Sequence, residues 1–266
     1  MDWQTIKIEG EGEVLHLVLN RPGMHNAINQ QLLQELLVAC ATIEAQGDCR
    51  CVIVRGAGPS FSSGADLKEG RFSTRMAHGD STGQALHRAR LGSKVINALG
   101  DLTPVTIAAV HGHAIGGGAC LAMACDFRIG AEGASVAIRE SKLGLSLSWH
   151  SIPNVVHLVG PSRAKEMIMF GEPHPARQLL EWGFFNELVP ESELISAAEA
   201  LAAKVVRQPP IPVQMTKASV NALVKALDRS IFHLDAPGVT LTSRTRDAAK
   251  ARAAFFEGET PDWDNE

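Results

Sequence analysis

The chain has 266 residues, 45% hydrophobic and 20% charged, and its 25 basic and 29 acidic side chains give a net charge of −4. That length and apolar content support one large domain with a buried core and exclude a disordered chain, while the charge balance excludes a nucleic-acid surface. Tyrosine is absent, so no phenol serves as acid, base or anion clamp.

Met1–Glu9 has neither a basic start nor an apolar centre, so no secretory signal is expected. Glu13–Leu19 reads as a strand ending in the turn Arg21-Pro22-Gly23. From Ile28 to Ala45 apolar residues fall at 28, 32, 33, 36, 37, 40 and 43, which is helical spacing closed by Gly47. Cys51–Val54 is a buried strand followed by the loop Gly56–Ser60, and Glu69–Arg90 is polar and the least ordered in pattern before a helix ending near Gly100. From Leu102 to Cys125 there are 24 consecutive residues without Asp, Glu, Lys or Arg. A membrane span needs roughly 20 mostly apolar residues, but Pro104, His111, His113 and the glycines at 112 and 116–118 break this run. A buried strand Val105–Val110, a glycine turn and a buried helix Gly117–Cys125 account for it better, with short strands at Phe127–Ile129 and Ser135–Ile138 beyond.

Strands alternate with helices to about residue 150, which predicts an α/β core. The remainder is expected to be almost entirely helical: 162–170, 176–182, 191–207, 213–226 and 228 to about 256, the last interrupted near Pro237-Gly238. Pro209-Pro210-Ile-Pro212 marks a joint, and Glu257–Glu266 is an acidic surface tail. The five cysteines (40, 49, 51, 120, 125) show no framework or ligand spacing, so reduced thiols in a cytoplasmic setting are expected, with no metal site.

Two glycine loops follow two of the buried strands: Phe61-Ser-Ser-Gly-Ala-Asp66 and His113-Ala-Ile-Gly-Gly-Gly118. Loops after parallel strands collect at one sheet edge, where α/β proteins bind ligands. N–H groups at a helix start favour negative charge, so converging N–H groups of Ala65 and Gly117 would form a two-donor oxyanion hole; losing one such donor costs about 2.7–4 kcal/mol in the transition state. The alternatives are that the second loop's glycines only allow helix to pack on sheet, and that the first is a plain turn with Asp66 capping a helix.

Together with Asn26-Ala27 upstream and Cys125-Asp126 downstream, these loops resemble the crotonase (enoyl-CoA hydratase/isomerase) superfamily over residues 5–256. The resemblance implies an α/β fold with a crotonase-like ββα spiral core at 1–207 and a helical oligomerisation region at 208–266, assembled as homotrimers or dimers of trimers. It implies an acyl-CoA thioester substrate, with coenzyme A as part of that substrate and no separate cofactor. Positions matching Ala65 and Gly117 would hold the thioester oxygen, and those matching Met24, His25, Ala65, Asp66, Leu67 and Lys68 would lie along the coenzyme A.

The departures from the family pattern are informative. Hydratases of the family commonly use two glutamates. The second matches Glu140, whose alternative role is an ion pair with Arg139 or Lys142, whereas the first position holds Cys120. Cys120 sits in the first helical turn, where the dipole favours a thiolate nucleophile, or else it is a small buried filler. Where relatives carry proline and glycines, this chain has Leu147-Ser-Trp-His-Ser-Ile-Pro153. Trp149 and His150 must narrow the acyl pocket or add a group to it, with His150 an acid–base partner or solvent-facing, and Ser148 stands where some members carry a carboxylate. Phe256–Glu259 lacks the basic pair that relatives often place there, leaving Lys68, Arg71 or Lys250 for phosphate. Hydration of a 2-enoyl-CoA through Glu140 is the expected reaction. The alternatives are double-bond isomerisation, a specialised lyase or hydrolase, and a non-catalytic acyl-CoA-binding member.

Overall fold

Val105–Val110 is buried at every position, and the chain winds in layers around it. The computed structural model describes residues 2–67 and 81–264, with Thr82 described by its backbone. In chain order the described elements are β1 (Ile6–Glu9), β2 (Val14–Leu19), α1 (Gln30–Gln46), β3 (Cys51–Gly56), α2 (Thr82–Gly100), β4 (Val105–Val110), β5 (His113–Ile115), α3 (Gly117–Ala124), β6 (Phe127–Ala131) and β7 (Ser135–Ala137). Then follow α4 (Ser151–Val159), α5 (Pro161–Phe170), β8 (His174–Pro175), α6 (Ala176–Glu181), β9 (Glu187–Val189), α7 (Leu194–Val206), α8 (Pro210–Val224), α9 (Arg229–Phe232), α10 (Asp235–Thr242) and α11 (Arg246–Glu257).

A six-stranded sheet runs β1-β2-β3-β4-β6-β9, parallel except for the antiparallel β1/β2 pair. A second, three-stranded sheet runs β5-β7-β8. Successive turns thus place one strand in each sheet, β4 then β5 and β6 then β7, which is the α/β ββα spiral. The mostly apolar, buried runs Cys51–Val54 of β3 and Val105–Val110 of β4 fit strands covered on both faces. The charge-free run resolves into β4, β5 and α3, and among the described residues no helix is long and apolar enough to cross a membrane.

Several boundaries differ from the sequence expectations for local reasons. Helix α1 starts at Gln30 rather than Ile28, because Asn29 caps it by accepting from Leu32 N at 2.9 Å while Ile28 pairs with Ala65. The end of the stretch that looked least ordered, 82–90, is helical: Ser81 and Gln84 form a capping box that starts α2. Residues 68–80, including Lys68 and Arg71, lie outside the described residues. The second half is not purely helical, since β8 and β9 add to the two sheets; strands of two and three residues are too short to show alternation. Pro237-Gly238 does not interrupt a helix but lies inside α10; the breaks fall at 233–234 and 243–245. Proline fits there because first-turn N–H groups have no intrahelical acceptor. Pro210 likewise starts α8 three residues earlier than expected.

The C-terminal helices are pinned onto the spiral. Lys217 Nζ reaches Asp126 Oδ2 at 2.7 Å and Pro104 O at 2.8 Å, and the same carboxylate oxygen accepts from Thr106 N and Oγ1. Asp126 therefore joins the start of β4 to α8.

Candidate active site

Both glycine loops meet at the start of α3. Ser62 bridges Ala114 and Ala65 bridges Ile28, so the first loop lies between β5 and the segment entering α1. Gly64 has φ +85, and a Cβ there would lie 2.6 Å from Ile115 O and 3.7 Å from Gly117 N, which puts the Gly64–Ala65 peptide against the second loop. In the Ala65 bridge, Ile28 N donates to Gly64 O and Asp66 N donates to Ile28 O. The N–H of Ala65 itself therefore points away from Ile28. The N–H of Gly117 opens α3, where no intrahelical acceptor exists. Two N–H groups without ladder partners thus stand on adjoining loops, an arrangement suited to an oxygen that gains negative charge.

Glu140 reaches this point through strand register. Ile115 pairs with Ala137 in the β5/β7 ladder, and Gly116 N donates to Ala137 O at 2.8 Å. The residues leaving the two strands stay side by side: Gly116 has φ +49, and a Cβ on it would lie 2.9 Å from Glu140 Oε1. Glu140 Oε2 is shut off from solvent and has no hydrogen-bond partner among the described residues. The ion-pair alternative fails, because Lys142 pairs with Glu172 and burial raises the Glu140 carboxyl with no cation opposing it. Burial pushes the Glu140 carboxyl up to about 7. It is poised to hold or release a proton near neutral pH.

Cys120 is 1% exposed, and burial together with the nearby Glu140 raises its thiol well above the usual range. The thiolate expected from the helix dipole is therefore opposed by larger effects, and the thiol packs as a neutral filler beside Ser151. The other cysteines are also free and buried.

The 147–153 loop turns sharply. Trp149 and His150 both adopt left-handed backbone, at φ +65 and +55. The Asp235 carboxylate accepts from Trp149 N at 3.1 Å, His150 N at 2.9 Å and Ser93 Oγ at 2.8 Å. His150 is half-buried. Its ring stacks on Phe232 at 3.6 Å, Nδ1 faces Asn97 Oδ1 at 3.2 Å, and burial lowers its pKa. Trp149 packs into the core, and Ser148 is half-buried just before it.

Met24 and His25 are exposed on the turn before α1, with His25 Nδ1 3.2 Å from Ser60 Oγ. Leu67 is half-buried, and Asp66 is buried against Arg21 Nη1 at 2.9 Å. Lys250, a candidate for phosphate, is engaged by Asp264 at 2.7 Å. Among the described residues no group of three His, Cys, Asp or Glu side chains is arranged to hold a metal ion. Sequence reasoning quoted Asn26 only as part of the resemblance and missed Asp235, and both are organisers. Asn26, fully buried at φ +54, donates to Ala57 O and Ser60 O and accepts from Arg21 N, and its signal was asparagine's tolerance of left-handed backbone. Asp235 carried no local signal.

A model of the enoyl-CoA hydratase/isomerase family matches residues 9–266. The chain is 33% identical over 260 residues to a short-chain-enoyl-CoA hydratase of Clostridium acetobutylicum, covering 97% of this chain and 96% of that one. It is 30% identical over 259 residues to a crotonyl-CoA hydratase of Syntrophomonas wolfei, again covering 97% and 96%. The crystal structure of an enoyl-CoA hydratase/isomerase from Xanthobacter autotrophicus superposes with a TM-score of 0.86 at 30% identity, over 97% of this chain and 95% of that one.

Proposed function

Because this chain belongs to the enoyl-CoA hydratase/isomerase family, we propose that it binds an acyl-CoA thioester with the carbonyl oxygen between the N–H groups of Ala65 and Gly117, and that Glu140 moves the proton. The observation that carries this reading is the Glu140 carboxyl, buried, unpaired and raised to about 7, one residue across from the N–H donor. In hydration, Glu140 takes a proton from water as its oxygen bonds to C3 of a 2-enoyl thioester. The electrons move through C2 to the thioester oxygen, which the two N–H groups stabilise as an enolate, and Glu140 then returns the proton to C2.

Cys120 favours a second reading. Without the other glutamate that hydratases of the family use, one carboxyl can remove a proton from C2 of a 3-enoyl thioester and return it to C4, which is double-bond isomerisation. Following absorbance of the conjugated thioester over 2-enoyl- and 3-enoyl-CoAs separates the two reactions. Glu140→Gln is expected to lower either one by about 10²–10⁴-fold, and full activity in that variant would refute Glu140 as the proton carrier. The assembly we propose is a homotrimer or dimer of trimers, formed over the outer faces of the C-terminal helices, where Leu223, Leu227 and Leu241 are 79%, 81% and 72% exposed.

A further inference from the structure

The geometry points to Trp149 as the stop that limits acyl-chain length in this site, and to Asp235 as the positioning residue that holds it there. The inference rests on the proposed seat of the thioester at Ala65, Gly117 and Glu140. Trp149 bridges two helices whose facing positions are glycines. A Cβ on Gly92 of α2 would lie 2.1 Å from Trp149 Cε2 and Nε1, and one on Gly117 of α3 would lie 2.6 Å from Cζ3 and 2.7 Å from Cη2. The pyrrole edge of the indole is thus received by Gly92 and its benzo edge by Gly117. The slot between α2 and α3 admits the indole only because both walls lack side chains.

This slot adjoins the proposed reacting centre. Gly117 carries the oxyanion N–H on its nitrogen and the indole against its Cα, while Gly116, one residue back, carries Glu140. A chain whose carbonyl sits on the Gly117 N–H and whose C2 and C3 face Glu140 meets the indole within the next few carbons. Here the slot is filled, and Trp149 is only 9% exposed.

The indole is also held there against a conformational cost. Two consecutive residues with side chains in left-handed backbone are unfavourable. Asp235 meets that cost with a carboxylate whose Oδ2 accepts from Trp149 N and Ser93 Oγ and whose Oδ1 accepts from His150 N. Stacking of His150 on Phe232 secures the same turn from outside. An asparagine at 235 keeps the size but only one acceptor oxygen, so it loosens the turn without emptying it.

The test compares wild type, Trp149→Ala and Asp235→Asn on trans-2-enoyl-CoAs of four, eight and twelve carbons. Values of kcat and KM are measured separately, and affinities for the saturated acyl-CoAs of the same lengths are measured by calorimetry. Wild type is expected to prefer the four-carbon thioester. Emptying the slot lets added methylenes be buried, each worth about a four-fold gain in affinity, so Trp149→Ala raises the eight- to four-carbon ratio of kcat/KM at least about tenfold, mainly through KM. Asp235→Asn moves the ratio the same way by less. If Trp149→Ala does not fold, Trp149→Leu carries the same comparison. A folded position-149 variant with an unchanged ratio overturns the stop, and an Asp235→Asn enzyme that loses activity equally on all three thioesters overturns the positioning role. Wild type that turns over the four-carbon thioester while the ratio stays fixed refutes this inference alone. Wild type that binds no acyl-CoA refutes the seat of the thioester, and the inference with it.

Discussion

Replacing Glu140 by glutamine should make the protein more stable at high pH while removing its chemistry. The carboxyl ordinarily titrates at 4.5 and is raised by burial to about 7 in the folded chain. Below pH 4.5 it is protonated in both the folded and unfolded states, and its ionisation costs nothing. Between these two values the unfolded chain has released the proton while the folded chain still holds it, so stability falls as pH rises. Above pH 7 both states are ionised and the folded state carries the whole penalty, about 3 kcal/mol at 1.36 kcal/mol per pH unit. Glutamine has no such penalty at any pH. The difference in unfolding free energy between Glu140→Gln and wild type should therefore grow by about 3 kcal/mol from pH 4.5 to pH 8. Urea unfolding at fixed protein concentration across that range measures it. Glutamine cannot take up the proton, so turnover should drop by about 10²–10⁴-fold. A stability difference that does not change with pH would show that the carboxyl is not buried uncompensated in the folded chain, and the proposed proton carrier would lose its physical basis.

With Cys120 raised well above the usual range and the thiols of Cys40, Cys51 and Cys125 pushed up to about 12 and Cys49 to about 11, iodoacetamide at pH 7 should leave turnover intact and modify cysteines only after denaturation; prompt inactivation would restore a thiolate mechanism. Gly64→Ala combines left-handed backbone with a Cβ 2.6 Å from Ile115 O. It should cost about 1–3 kcal/mol in a denaturant melt and lower kcat by about 10²–10³-fold as the Ala65 N–H is displaced, whereas unchanged kcat would remove Ala65 as a donor. Leu223→Glu with Leu227→Glu places charge on side chains 79% and 81% exposed. Sedimentation should show the assembly falling to monomers, and an unaltered oligomer would move the interface elsewhere.

What was legible in the sequence was whatever a residue type alone decides. Gly64 and Gly116 stand where the backbone is left-handed and a Cβ would strike Ile115 O or Glu140 Oε1, so the loops announce themselves by composition. Val105–Val110 is apolar at every position but Thr106 because both of its faces are covered. The surroundings of Glu140 were not legible, because flanking Arg139 and Lys142 suggest an exposed ion pair. Only the pairing of Ile115 with Ala137 turns the carboxyl inward, while Lys142 leaves for Glu172. Likewise, reduced order around residues 81–90 was inferred from polarity, which says nothing of the cap that Ser81 and Gln84 build.

The loop at 147–153 shows why the site is harder to read than the fold. Local preference opposes left-handed backbone at Trp149 and His150, so a loop considered alone would relax and turn His150 toward water or toward the glutamate. The loop keeps its left-handed turn because a carboxylate 85 residues further on holds His150 N and its neighbour's N–H. That carboxylate comes from the first residue of α10, and Ser93 of α2 donates to it as well. The C-terminal helices therefore do more than cover the spiral: they set the shape of the wall beside the Gly117 N–H. Since the strain is local and its compensation is remote, substitutions at 149 and 235 should be coupled, and the double variant should lose less than the sum of the two single losses.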